Sequence, residues 1–166
     1  MKSRIKGVCA CLLPMLFLVL WVSCARASAP PTYSWGAFQR FWNSHALLGV
    51  EIVKPVSIKG GYLVSFGYSA SLSVFSDGSY ITGVQVQFRN APGLEAGGPK
   101  FLRAIQTVIR IGTYGWPEER VLAVRKTFEH MLPERRVYQW RNSRFTRVGY
   151  STGDWEFTLE LIHSED

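Results

Sequence analysis

The stretch from Gly61 to Arg89 constrains the fold more than any other part of the chain. From Tyr62 the large residues fall at every second position: Tyr62, Val64, Phe66, Tyr68, Ala70, Leu72 and Val74. Ser65, Gly67, Ser69, Ser71 and Ser73 lie between them. After Ser76-Asp77-Gly78-Ser79 the alternation resumes, with Val84, Val86 and Phe88 set against Gln85, Gln87 and Arg89. Successive side chains on a strand point to opposite faces, so a period of two over this length requires a sheet with one apolar side and one wet side.

Register follows from keeping the apolar residues together. Val50 to Ile58 reads as a preceding strand, and Pro55, which lacks a donor, places it at an edge. A three-residue loop, Lys59 to Gly61, pairs Ile58 with Tyr62 and Val56 with Val64. A second three-residue loop, Ser76 to Gly78, sets Tyr80 opposite Val74 and Val84 opposite Ala70, with Gly78 left-handed in a bulge.

Helical spacing marks three other segments. Trp35, Phe38, Phe41, Trp42 and Ala46 form one stripe, with Ser34 as N-cap and Gly49 as the stop. After a Gly- and Pro-rich connector at 91–99, Phe101, Leu102, Ile105, Val108 and Ile109 form a second, ended by Gly112. Trp116-Pro117-Glu118-Glu119 opens a third, with proline and acids where the helix dipole favours them, and Val121, Val124, Phe128 and Leu132 as its buried face. Three short strands complete the chain, at 136–141, 144–151 and 155–162. The order is α-βββ-αα-βββ. The fold class is α+β: antiparallel sheet in two three-strand meanders packed against about three helices, with one sheet of five or six strands favoured over two sub-sheets.

The N-terminus has a different role. Lys2, Arg4 and Lys6 precede a nearly continuous apolar run from Gly7 to Val22, and Ala25-Arg26-Ala27 has the small-x-small pattern of a cleavage site. This reads as a secretory signal peptide at 1–27. The run is short of the ~20 residues a spanning helix needs, and Pro14 interrupts it. A short exposed leader at 28–33, one domain at 34–163 and an acidic tail at 164–166 follow. Leu20-Trp21-Val22-Ser23-Cys24 resembles a bacterial lipoprotein signal, with Trp21 where leucine is usual. That resemblance implies lipidation of Cys24 in place of a cut after Ala27. All three cysteines, Cys9, Cys11 and Cys24, precede the cut. The processed domain then has no thiol and relies on its core.

Four of the 19 basic residues (Lys2, Arg4, Lys6 and Arg26) lie in the leader, which leaves 15 against 12 acidic residues. A net charge of +3 is ordinary and does not argue for nucleic acid. The sequence contains no G-x-S-x-G, H-E-x-x-H or C-x-x-C pattern, and its three histidines lack metal-ligand spacing. No cofactor is expected. Glu156 and Glu160 share the polar side of one strand and are the candidate pair for a carboxylate-dependent hydrolase.

A Thr152-Gly153 turn pairs Tyr150 with Trp155 and Val148 with Phe157. An Asn142-Ser143 turn pairs Trp140 with Phe145 and Val137 with Val148. With Val148, Tyr150, Trp155 and Phe157 on the core side, the opposite face presents Arg136, Tyr138, Trp140, Phe145 and Arg147, along with Glu156 and Glu160. Arginine and aromatic residues bury area while still offering polar contacts, and they are enriched where proteins bind partners. The expectation is an exported, non-enzymatic binding or assembly module, periplasmic or secreted, with an extracytoplasmic protein partner. Anionic glycan or lipid head groups form a second partner class, and export argues against nucleic acid. A structural reading competes: Trp140 and Phe145 covered by a helix or loop, and Arg147 balancing the two glutamates.

Overall fold

The computed structural model describes residues 34–93 and 96–162. The signal peptide, the cut after Ala27, Cys24, the 28–33 leader and the acidic tail lie outside the described residues. Among the described residues, three helices and seven strands follow in the order α1 (Trp35–His45), β1 (Val56–Ile58), β2 (Gly61–Gly67), β3 (Ala70–Ser76), β4 (Ile81–Phe88), α2 (Gly97–Gly112), α3 (Glu118–Phe128), β5 (Arg136–Trp140), β6 (Ser143–Gly149) and β7 (Trp155–Leu161). The strands form one antiparallel sheet in the order β1-β2-β3-β4-β7-β6-β5. The α+β class holds, in a single sheet. The first meander has four strands, not three.

The extra strand comes from a hairpin hidden inside the alternating run. Tyr68 and Ser69 form a two-residue loop, both at positive φ (50° and 61°), as a type I′ turn requires. A plain two-residue loop would pair even positions with odd ones. A bulge between Ser65 and Gly67 restores the phase, so Val64 faces Leu72 and Tyr62 faces Val74. Even-numbered residues therefore stay on the core side through the turn. Gly97 at the start of α2 packs so closely on the turn that a Cβ there would lie 1.8 Å from the Tyr68 carbonyl oxygen.

Three other expectations shift. The loop between β1 and β2 has two residues, pairing Ile58 with Gly61 and Val56 with Leu63. The β3–β4 loop runs from Asp77 to Tyr80 and pairs Val74 with Val84 and Ala70 with Phe88. Residues 50–55 do not form a strand. Instead α1 side chains satisfy their backbone: the Trp42 indole N–H donates to Val50 O (2.7 Å), and Asn43 both donates to Ile52 O (3.1 Å) and accepts from Ile52 N (2.8 Å). β1 is an edge strand, as expected, with Pro55 immediately before it.

All three helices cover one face of the sheet. Trp35 stacks on Tyr62 with ring centroids 3.7 Å apart, and Trp42 stacks on Phe66. Phe101 of α2 meets Phe88, and Phe128 of α3 meets Phe145 and Phe157. Phe38, Trp42, Leu72, Val86, Phe101, Phe128 and Phe157 are buried in this single core.

Candidate functional site

The β6–β7 pairing is one residue out of the expected register, which turns over the faces of β5 and β6 while β7 keeps Trp155 and Phe157 inward. The β5–β6 pairing is two residues out, so Trp140 meets Ser143 in place of Phe145 and Val137 meets Thr146 in place of Val148. Gly149, not Tyr150, lies opposite Trp155, and Arg147 lies opposite Phe157. Across β5 and β6, Tyr138 pairs with Phe145 and Arg136 with Arg147. The five expected binding residues do share one face, but it is the one the helices cover. Phe145 and Arg147 are 0% and 1% exposed. Arg136, Tyr138 and Trp140 are half-buried. Trp140 meets Trp116 edge-on, with Arg141 over its ring at 4.3 Å and Arg120 at 5.6 Å. Glu156 and Glu160 are on the other side of the sheet.

Arg147 is the anomaly of this face. Among the described residues, none of its three guanidinium nitrogens has a hydrogen-bond partner, and the buried Tyr138 hydroxyl has none either. Its guanidinium lies 5.8 Å from the Trp155 ring. Burial, and then the Arg136 charge, pull the Arg147 pKa below the ordinary arginine value, while Glu134 opposes them. Glu134 is already engaged, pairing with Arg136 through Nε (2.8 Å) and Nη2.

Among the described residues, the opposite face carries no helix. One row of cross-strand neighbours runs over all seven strands: Val56, Leu63, Ser73, Gln85, Thr158, Thr146 and Val137. Its middle is neutral and polar, while Val56 and Val137 at its two ends are exposed and apolar. Two clefts open on this side. One, of about 360 Å³, is lined by residues that include Gln87, Tyr150, Asp154 and Glu156. The other, of about 430 Å³, is lined by residues that include Arg135, Arg144, Thr146, Thr158 and Glu160, and again Glu156.

Glu156, the wall shared by both clefts, is held in place. Gln85 Nε2 donates to one carboxylate oxygen (3.4 Å), Gln87 Nε2 donates to the other (3.3 Å), and Gln87 also bonds Gln85 Oε1 (3.1 Å). The Tyr150 phenol lines the first cleft, and the Glu156 charge, more than any other cause, raises its pKa above the ordinary value. Glu160 pairs with Arg144 at 3.1 Å. Glu156 and Glu160 lie four residues apart on β7, about 13 Å along a strand. That exceeds the ~5–9.5 Å that glycosidase carboxylate pairs use. Gln85, Gln87 and Tyr150 were not singled out from sequence. The signal for the glutamines was present, in the wet side of the β4 alternation.

Among the described residues, no group of three His, Cys, Asp or Glu side chains could hold a metal ion, and no helix is long and apolar enough to cross a membrane. No family model, curated protein or solved structure matches this chain.

Proposed function

We propose that this chain is an exported, non-enzymatic binding or assembly module that takes an extracytoplasmic protein partner on the open face of its sheet. One observation carries the reading: among the described residues every helix lies on one side, which leaves a polar seven-strand surface with two clefts meeting at a fixed glutamate. Side chains held by neighbours lose little freedom on binding, which favours specific recognition. The exposed Val56, Leu63 and Val137 supply apolar area at the flanks of a polar centre. The charges lining the second cleft balance, Arg135 and Arg144 against Glu156 and Glu160, which favours a protein over an anionic glycan or lipid surface. The signal-like N-terminus supports an extracytoplasmic setting.

The test is site-specific photo-crosslinking in the native host. A photoreactive residue is placed at Thr158 on the open face, or at Leu122, which is exposed on α3. The expected result is one discrete adduct from Thr158 that persists at moderate salt and is absent from Leu122. Adducts from Leu122 alone, or from neither position, overturn the assignment. An adduct at Thr158 that disappears steeply with salt favours the anionic partner.

A further inference from the structure

We propose that Arg147 and Tyr138 form an internal binding site for a small oxyanion, a carboxylate or a phosphate-type group, on the helix-covered side of the sheet. A guanidinium carries five N–H donors and a fixed positive charge. Arg147 is 1% exposed, yet among the described residues its nitrogens have no acceptor. A buried charge without a partner is costly, so a group of this kind implies a ligand that supplies what is missing.

The surroundings define that ligand. The nearest cation, Arg136, is directly opposite on β5 and is neutralised by Glu134. The three charges together leave one uncompensated positive charge, and it belongs to Arg147. The Tyr138 hydroxyl, the second orphaned donor, is on the same face one diagonal step away, about 7–8 Å between backbones. A compact anion with two or more oxygens can accept from a guanidinium fork and a phenol at once. Trp155 closes one flank with its ring. β5 is an edge strand, and beside it Arg136 and Glu134 keep 34% and 53% of their side chains exposed.

The full chain is melted in increasing acetate, and separately in inorganic phosphate, against chloride at equal ionic strength. Arg147→Met and Tyr138→Phe are run beside wild type, because phosphate also raises Tm non-specifically. Wild type is expected to show a saturable rise of about 5 °C at tenfold above half-saturation. Arg147→Met should lose the saturable part, and Tyr138→Phe should need several-fold more anion. An acetate response assigns a carboxylate ligand, and a response to phosphate alone assigns a phosphate-type ligand. Identical curves for wild type and Arg147→Met overturn the proposal. If Arg147→Met does not fold, the arginine Nε–H resonances of wild type are followed during the same titrations, with Arg147→Lys assigning the signal. An Arg147 signal unmoved by both anions overturns the proposal equally.

Discussion

Arg136 and Arg147 lie directly opposite each other on β5 and β6, and Glu134 holds the first while the guanidinium of the second has no hydrogen-bond partner among the described residues. One carboxylate thus serves two neighbouring cations. The Glu134–Arg136 contact is partly exposed and by itself worth little. Its larger effect is to relieve repulsion between like charges that share a cross-strand pair. Glu134→Gln should therefore lower stability by about 1 kcal/mol in urea unfolding, more than an isolated surface pair would. In an Arg147→Met background the same change should cost about half as much. Equal costs in both backgrounds would show that the two arginines do not couple.

Trp42 is fully buried, and its indole N–H provides the hydrogen bond that the Val50 carbonyl would have found in a strand. Trp42→Phe keeps an aromatic ring but orphans that carbonyl and leaves space. A loss of about 1–3 kcal/mol is expected from the unsatisfied group alone. Amide exchange at Val50 and Ile52 should accelerate in the same variant before global unfolding does. A destabilisation below about 0.5 kcal/mol would mean that water satisfies the carbonyl.

Tyr150 titrates above a free tyrosine because the Glu156 charge disfavours a phenolate beside it, with burial and Asp154 adding to the shift. The sign for stability follows. The folded state holds the proton more tightly, so this contribution is fully present below pH ~10 and is lost as pH rises through the higher folded value. Near-ultraviolet absorbance should show a late-titrating tyrosine in wild type. Glu156→Gln should bring that tyrosine back toward the ordinary range. An unchanged late phase in the variant would assign it to another tyrosine.

The α+β class, the three helices and the apolar side of β2, β3 and β4 were legible because each rests on periodicity, which burial enforces directly. The 67–70 hairpin was not legible for a physical reason: its bulge keeps even-numbered residues inward, so the turn leaves no break in the pattern. Tyr68 and Ser69 also lack the Asn-Gly signature of the backbone they adopt. The faces of β5 and β6 were not legible because of one residue. An arginine between Thr146 and Val148 reads as the outward position, and that sets Val148 and Tyr150 inward. In the structure Arg147 points inward, and the Trp155 ring packs where a side chain on Gly149 would stand. Arg136, Tyr138, Trp140, Phe145 and Arg147 share one face, as their alternation requires, and it is the face the helices cover.

The strand order has a consequence for how the protein is made. β7 is the last of the seven strands along the chain, yet it sits in the interior of the sheet, between β4 and β6. Until it emerges, the two meanders have no bond to each other and each presents a full-length bare edge, Ile81–Phe88 on one and Ser143–Gly149 on the other. Such edges recruit other chains. A nascent or stalled copy is therefore adhesive up to its final strand, and closing the sheet is a late, long-range event. Delivery of an unfolded chain across a membrane would postpone that event until both edges are on the far side.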